Sequence, residues 1–300
     1  MTLHPRVRLG AVGYLNARPL VYGLDQSPRF DVRYDVPSEC ARLLHANEID
    51  VGLIPSIEYL RGGPYSVVPD LAIASHGAVA SVALFATKPM RDVQSVAMDT
   101  SSRTSVALVR VLCARLYHIT PAIESRGPDL DDMLARCDAA LIIGDNALFA
   151  EPAKSTVYGR QQSTVDSRQS TGVYRREFTG GRQATELMIE KIDLGEAWLE
   201  LTGLPFVYAF WAGRADALSK DDVARLQWAR DEGIERPEQL AREYLADSAP
   251  DRQELGGRYL RHNIKYHLGD EERAGLERFY RYAAEAGVVS DPGELRFFER

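Results

Sequence analysis

The chain has 300 residues, of which 45% are hydrophobic and 26% are charged, and its formal net charge is −7. This length is enough for one large domain or for two of ordinary size, each with its own core. The negative charge, without a Lys/Arg cluster, argues against a nucleic-acid partner. The sequence shows no signal peptide and no stretch near the ~20 apolar residues of a membrane span, so we expect a cytoplasmic protein that does not bind membranes.

The cysteine content argues against a disulfide framework and against a zinc site. There are three cysteines, an odd number, and they form neither a CxxC motif nor a pairing with histidine. Cys113 lies in an apolar helical pattern, which is typical of a small core residue. A reducing compartment fits this usage best.

The first sixty residues alternate between strand and helix patterns. Short apolar strands are predicted over Val7–Leu15, Phe30–Val36 and Ile49–Ile54. Residues that begin helices follow each strand, and one helix is predicted over Cys40–Asn47. This order indicates an α/β fold with parallel strands, in which ligands gather where the carboxyl ends of the strands meet helix N-termini.

Polar residues recur at these strand ends. Asn16 suits the cap of a first helix, and Ser38 and Ser56 hold the corresponding positions after the next two strands. Each residue alone is better explained as an ordinary helix cap. Their recurrence predicts a shared polar cleft.

The stretch Ser95–Tyr117 carries the strongest local signal. A short strand leads into a polar turn and then into a helix with apolar residues at helical spacing. Five hydroxyl residues and an arginine crowd this turn, among them Ser101, Ser102, Arg103, Thr104 and Ser105. Free N–H groups and the helix dipole attract anions there, so we predict a site for a carboxylate or a phosphate. The alternative is an elaborate N-cap, since one of these hydroxyls is expected to cap the helix.

Three further residues are candidates for a site. Ser81 interrupts the apolar strand pattern of Val79–Ala86, so its hydroxyl either bonds to the backbone or points into a cavity. Asp145 follows an apolar strand that starts at Ala139, a position typical of an active-site acid and equally of a helix cap. His76 lies in a Ser-His-Gly turn and is a residue type that titrates near neutral pH, although an ordinary turn residue is the simpler explanation.

The rest of the chain is less informative. The pattern predicts a turn at Glu124–Pro128, a returning strand over Pro205–Ala212 and helices through residues 215–300. Residues 153–183 are polar, with six basic and two acidic residues, and predict an exposed loop or a β-excursion. This segment is either a solvated insertion or a lid near an anion site.

Five sequence blocks match a known family in order. They are Gly13–Leu20, Glu48–Ser56, Asp99–Ser105, Ile143–Leu148, and Thr202–Val207 with Trp211. These blocks resemble the menaquinone biosynthesis enzymes of the futalosine route, and within that family they look like the chorismate dehydratases. The resemblance spans residues 7 to 214.

The resemblance implies an α/β, two-lobed fold of the type II periplasmic-binding-protein kind, with a ligand cleft between the lobes and a helical C-terminal part. One lobe is expected to comprise residues 1–87 and 209–300, and the other residues 88–208. The family is much shorter over residues 153–183, so the resemblance does not cover that insertion.

The resemblance also implies a hydro-lyase that removes water from chorismate to give 3-[(1-carboxyvinyl)oxy]benzoate, with no metal and no organic cofactor. Asn16 and Ser81 would contact the reacting ring, and Ser56 would line the cleft. The Ser101–Ser105 turn would hold a carboxylate. Asp145 would act as acid or base, a role that the substrate's own carboxylate could fill instead.

Two other functions stay open at this level. The sister enzyme of the same family forms 1,4-dihydroxy-6-naphthoate from cyclic dehypoxanthine futalosine. A non-catalytic protein that binds small carboxylates would show the same fold. In every case the expected partner is a small molecule, and the sequence leaves the oligomeric state open.

Overall fold

The structure is a computed structural model that describes residues 6–150, 172–178 and 185–299. The described residues form two six-stranded sheets, and we number strands and helices along the chain. The first sheet has the order β2-β1-β3-β12-β4, with β5 also paired to β12. Its strands are β1 Val7–Val12, β2 Phe30–Asp35, β3 Val51–Pro55, β4 Tyr65–Val67, β5 Ile73–Ser75 and β12 Phe206–Arg214.

The second sheet has the order β10-β11-β6-β9-β7-β8. Its strands are β6 Val82–Ala86, β7 Ser95–Asp99, β8 Ala122–Arg126, β9 Ala139–Ile143, β10 Gly172–Phe178 and β11 Thr185–Asp193. The chain therefore crosses between the sheets twice, once before β6 and once after β11. Strand β12 returns to the first sheet and pairs antiparallel with β3.

The helices cover both sheets and form most of the C-terminal part. They are α1 Pro37–His45, α2 Arg103–Leu112, α3 Leu130–Leu134, α4 Gly144–Leu148, α5 Leu194–Thr202, α6 Lys220–Ile234, α7 Pro237–Tyr244, α8 Pro250–His262 and α9 Asp270–Glu285. Two 3-10 helices, Leu15–Val21 and Ser56–Leu60, follow β1 and β3. A single π turn, Cys113–Tyr117, extends α2.

Aromatic packing joins the C-terminal helices to the first sheet. The ring of Phe279 on α9 lies 4.8 Å from that of Phe206 on β12, and the ring of Trp198 on α5 lies 5.2 Å from the same phenylalanine. All three side chains are almost completely buried. Edge-to-face pairs of this kind add about 0.5–1.5 kcal/mol each beyond their buried area, so they hold the second crossover firmly against α9.

The local predictions hold for the early α/β units and fail at several boundaries. Strands β1, β2 and β3 are parallel, as predicted. The predicted turn at Glu124–Pro128 is wrong, because β8 occupies Ala122–Arg126 as a paired edge strand. Asn16 is not an N-cap, since the cap of its 3-10 helix is Tyr14, without a side-chain bond.

Sheet membership also refines the division of the chain. Strand β6 pairs with β9 and β11, so Val82–Ala86 are part of the second sheet. The expected lobe of residues 1–87 would group them with the first sheet. A division by sheets would place the crossovers at residues 76–81 and 194–205, and we propose these as the lobe boundaries. Of the polar insertion, residues 172–178 form β10, and the remainder lies outside the described residues.

Candidate functional site

A small cavity of about 40 Å³ lies between the two sheets. The ends of β1, β3 and β9 and the middle of β12 surround it, as expected for an α/β fold. Its polar lining residues are Tyr14, Asn16, Ser81, Ser102, Ser105 and Tyr208, and its other lining residues are apolar or glycine. Within the part of the chain that the structure describes, no charged side chain lines this cavity.

Asn16 and Ser81 meet at one side of the cavity. The Oδ1 atom of Asn16 is buried and has no hydrogen-bond partner within the described residues. Ser81 is 1% exposed, and its Oγ accepts a hydrogen bond from the Tyr259 hydroxyl of α8 at 2.7 Å. A buried amide oxygen without a partner costs free energy in the empty protein, and a ligand N–H or O–H would relieve that cost.

Ser81 is held in place by its backbone. It directly precedes β6, and because β6 runs antiparallel to β9, the Ser81 carbonyl accepts the Gly144 N–H at 2.7 Å. Before it, Ala80 has a left-handed backbone with φ of 61°. The carboxylate of Asp193, at the end of β11, accepts the N–H groups of Val79 and Ala80. One buried carboxylate from the second crossover therefore fixes the first crossover next to Ser81.

The helix α2 also begins at the cavity. Ser102 caps it, accepting the Ser105 N–H, and the two serine hydroxyls lie 3.0 Å apart. Both serines line the cavity, so the first turn of α2 presents hydroxyls and its dipole to a ligand there. The sequence-predicted anion site thus reaches the cavity through these two residues. We call Asn16, Ser81, Ser102 and Ser105 the cavity wall.

Other predicted residues lie between the sheets but do not line the cavity. The Ser56 hydroxyl donates to the Val207 carbonyl at 2.8 Å. The Thr104 hydroxyl accepts the Ile57 N–H at 3.1 Å and lies 3.3 Å from the Ser56 hydroxyl. Ser56 and Thr104 are completely buried. The Ser56 hydroxyl bonds within the first sheet region and the Thr104 hydroxyl bonds across from the second to the first, so neither is available to a ligand.

Arg103 also acts between the sheets. Its guanidinium donates to Glu58 at 2.7 Å, and Arg61 and His45 bond to the same carboxylate. Glu58 itself is 1% exposed. Burial raises the pKa of Glu58, but His45, Arg103 and Arg61 outweigh burial and hold this pKa below its ordinary value. We call Ser56, Glu58, Arg103 and Thr104 the intersheet seam.

Two of the three remaining candidates, Ser101 and His76, are not among the residues that line the cavity. Ser101 accepts a long hydrogen bond of 3.4 Å from the Tyr14 hydroxyl, and its carbonyl accepts the Ser38 N–H at 3.0 Å. His76 is exposed at its turn and is not among the residues that line the cavity. The geometry therefore gives no support to His76 as a substrate-binding residue.

Asp145 lies behind the cavity, on the far side of Tyr14. Its carboxylate accepts the Leu15 N–H at 3.2 Å and the Tyr244 hydroxyl, and it borders a separate, more open pocket. Burial raises the pKa of this carboxyl, against the effect of Tyr244, Leu15 and Arg18. Asp145 accepts the N–H of Leu15, the residue directly before Asn16, and so helps to position Asn16. Asp145 itself does not line the cavity.

Tyrosines are the site residues that the sequence reasoning missed. Tyr14 and Tyr208 line the cavity, and Tyr259 reaches Ser81 from a helix that looks like ordinary surface packing in sequence. Tyr14 stands in the first matching block, which was a usable signal. Nothing in the local sequence around Tyr259 indicates its contact, because the two residues are 178 positions apart.

Neither a metal cluster nor a membrane span is found in the part of the chain that the structure describes. No group of three or more His, Cys, Asp or Glu residues there could hold a metal ion. Likewise, none of the described helices is long and apolar enough to cross a membrane. The three cysteines are free and buried at separate places.

Comparison with known sequences identifies related proteins. Residues 7–162 and 180–285 match a family described as menaquinone biosynthesis. The chain is also 31% identical over 276 residues to a protein of Thermus thermophilus named chorismate dehydratase. This match covers 90% of this chain and 93% of the relative.

Comparison with solved structures shows the fold. Protein AF1704 from Archaeoglobus fulgidus superposes with a TM-score of 0.66 at 15% identity, covering 95% of this chain and 98% of that one. The alkanesulfonate-binding protein SsuA from Xanthomonas axonopodis pv. citri gives a TM-score of 0.61 at 13% identity, covering 97% and 96%. The predicted fold, similar to that of periplasmic binding proteins, is confirmed.

Proposed function

The chain belongs to the menaquinone biosynthesis family, and we propose that its reaction there is the loss of water from chorismate. The reaction would give 3-[(1-carboxyvinyl)oxy]benzoate. It is redox-neutral and makes the ring aromatic, which supplies driving force, so the proposal includes no metal and no organic cofactor. The relative in Thermus thermophilus, with its 31% identity and its name, supports this choice.

One observation carries the proposal: the cavity wall presents hydroxyl and amide groups and no charge. Asn16 and Ser81 line the cavity together with Ser102 and Ser105 of the first turn of α2. Chorismate carries a ring hydroxyl and two carboxylates. The α2 turn would hold a carboxylate through neutral donors and the helix dipole, while Asn16 and Ser81 would face the ring hydroxyl.

The reaction requires a leaving hydroxyl at C4 and a proton acceptor for the C3 hydrogen. The electrons of the C3–H bond form the new ring double bond, the C4–O bond breaks, and the departing hydroxide and the proton make one water. Ser81 would donate a hydrogen bond to the leaving oxygen, where negative charge develops. Asn16 Oδ1 would accept the hydroxyl's proton in a hydrogen bond and orient it.

The proton acceptor is best assigned to a carboxylate of the substrate itself. No acidic or basic side chain of the described residues lines the cavity, and the carboxylate of Asp145 is occupied by Leu15 N–H and Tyr244. We therefore assign Asp145 a positioning role, in place of the acid–base role that the sequence predicted. A substrate carboxylate close to C3 would act within the bound molecule, which makes the transfer effectively unimolecular.

The test is turnover by the purified protein. Chorismate and cyclic dehypoxanthine futalosine are incubated separately with the protein, and products are identified by chromatography and mass. We expect the benzoate ether from chorismate alone. Formation of dihydroxynaphthoate would instead identify the sister enzyme, and chorismate binding without any product would identify a carboxylate-binding protein.

A further inference from the structure

Tyr259 is a buried titratable group that the reaction does not use directly. It lies on α8, is 2% exposed, and its hydroxyl is 2.7 Å from Ser81 Oγ. Burial raises the pKa of Tyr259, so the phenol keeps its proton at neutral pH. A hydroxyl so deeply buried must donate its proton to a partner or bear the cost of losing one.

The number of O–H protons at this contact decides which of the two hydroxyls donates the hydrogen bond. Tyr259 and Ser81 each have a single O–H proton. If Tyr259 donates to Ser81 Oγ, the Ser81 proton is directed elsewhere, and Ser81 lines the cavity. If Ser81 donated instead, no acceptor among the described contacts of Tyr259 would take the tyrosine proton, because Asn16 faces the phenol as a donor. The first arrangement satisfies both hydroxyls once a ligand is bound.

Asn16 fits the same arrangement. Asn16 lowers the pKa of Tyr259, which is the effect of an N–H group that faces the phenol oxygen. With its amide N–H turned to Tyr259, Asn16 points its other polar atom, the unpartnered Oδ1, away from the tyrosine. The result is a donor at Ser81 and an acceptor at Asn16, side by side on the cavity wall.

We propose that Tyr259 is a positioning residue that makes Ser81 a hydrogen-bond donor and Asn16 an acceptor toward the substrate. This inference rests on the proposed function, because the matching ligand group is a hydroxyl, which accepts one hydrogen bond and donates another. A carboxylate or an ether oxygen cannot donate to Asn16 Oδ1. The pair therefore selects an alcohol at this end of the cavity and turns the Ser81 proton to its oxygen.

The decisive variant is Tyr259→Phe, which removes the hydroxyl and keeps the ring. We expect kcat with chorismate to fall about 10- to 100-fold, because Ser81 loses its fixed orientation, while KM changes by less than about threefold. Tyr266→Phe is the matched control. Tyr266 is 4% exposed, but its hydroxyl has no partner within the described residues, so its removal should leave kcat near the wild-type value.

A double-mutant cycle separates positioning from general damage. If Tyr259 acts through Ser81, then Tyr259→Phe should lower kcat much less in the Ser81→Ala background than in the wild type, and the residual effect is the part that Tyr259 exerts through Asn16. Independent effects would multiply instead, and that outcome overturns the proposal. So does a Tyr259→Phe variant whose kcat matches that of Tyr266→Phe.

The same cycle is measured by thermal unfolding, which does not depend on turnover. Either single variant should lower Tm by roughly 2–4 °C, and the double variant should lower it by less than the sum, because the two hydroxyls stabilise each other. Wild-type protein that leaves chorismate unchanged refutes the proposed function alone. Additive Tm shifts refute the Tyr259–Ser81 coupling, whether or not the wild type is active.

Discussion

The cavity wall and the intersheet seam both contain buried hydroxyl residues, and these residues have different roles. Ser102 and Ser105 of the wall lie within one turn of Thr104 of the seam, on the same helix α2. The serines line the cavity, whereas the Thr104 hydroxyl accepts the Ile57 N–H from the other sheet region. The direction in which each side chain leaves the helix decides its role, because neighbouring positions are rotated by about 100°.

This difference shows when a hydroxyl at a strand or helix end can bind a ligand. It can do so only where the backbone groups beside it already have their hydrogen-bond partners. The Ser56 hydroxyl donates its proton to the Val207 carbonyl and therefore has no proton left for a ligand. Ser81 meets only another hydroxyl, that of Tyr259, and so retains a proton for a ligand. Stability and binding are therefore separable by mutation in this protein.

The largest expected effect is at the wall, in Ser81→Ala. Loss of a hydrogen-bond donor aimed at developing negative charge should lower kcat with chorismate by about 10²- to 10³-fold. Ser66→Ala is the control, since Ser66 is a buried serine of β4 that lies away from the cavity, at 6% exposure. Steady-state kinetics on both variants measures the contrast. A Ser81→Ala enzyme with more than a tenth of the wild-type kcat would remove Ser81 from the mechanism.

The seam should respond in stability instead, in Thr104→Val. The valine keeps the shape of threonine but leaves the buried Ile57 N–H without its acceptor, which should lower the free energy of unfolding by about 2 kcal/mol. Urea unfolding measures this loss, and KM for chorismate should change by less than about threefold. A tenfold rise in KM at unchanged stability would instead return Thr104 to the binding site that the sequence predicted.

A smaller effect is expected on the α2 side of the wall, in Ser105→Ala. Loss of one hydroxyl that faces a carboxylate should raise KM for chorismate about tenfold, because a single hydrogen bond to a charged group contributes about that factor to affinity. Ser101→Ala provides the comparison, since Ser101 is not among the lining residues. Equal KM values for the two variants would show that the α2 turn does not hold the carboxylate through Ser105.

The α/β pattern could be predicted from sequence wherever it is local. Alternating apolar strands and cap residues place β1, β2 and β3 and their parallel order correctly. Strand β8 could not be recognised, because it is an edge strand of half-exposed residues, AIESR, without a continuous apolar run. The strand predicted over Val79–Ala86 begins later, at Val82, because the left-handed backbone of Ala80 interrupts the extended run.

The candidate site was predictable as a region but not residue by residue. The sequence placed Asn16 and the α2 turn at the ends of elements and Ser81 within an apolar strand pattern, and the structure brings them to one cavity. It could not tell Ser102 and Ser105 from Thr104, since all three are hydroxyls in one turn. That distinction depends on Ile57, which is 47 positions away in the chain.

The smallest expected effect concerns the charge of the seam, in Glu58→Gln. Since the pKa of Glu58 in the folded protein is held below its ordinary value of 4.5, the ionised carboxylate stabilises the fold above that pH. This contribution disappears as the pH falls through the lowered pKa. Arg103 and Arg61 are both about 40% exposed, so solvent screens the pairs and we expect a loss of only about 1 kcal/mol at pH 7.

Unfolding curves over a series of pH values from 7 downward measure this dependence on Glu58. Wild type and Glu58→Gln should differ at pH 7, and the difference should shrink as the pH falls below 4.5 through the lowered pKa of Glu58. Glu48→Gln is the matched control, because Glu48 pairs with Arg42 at the surface with half of its side chain exposed. A difference that stays constant until the acid transition of the protein would mean that the Glu58 side chain stabilises the seam by its packing and that its ion pairs with Arg103 and Arg61 contribute nothing.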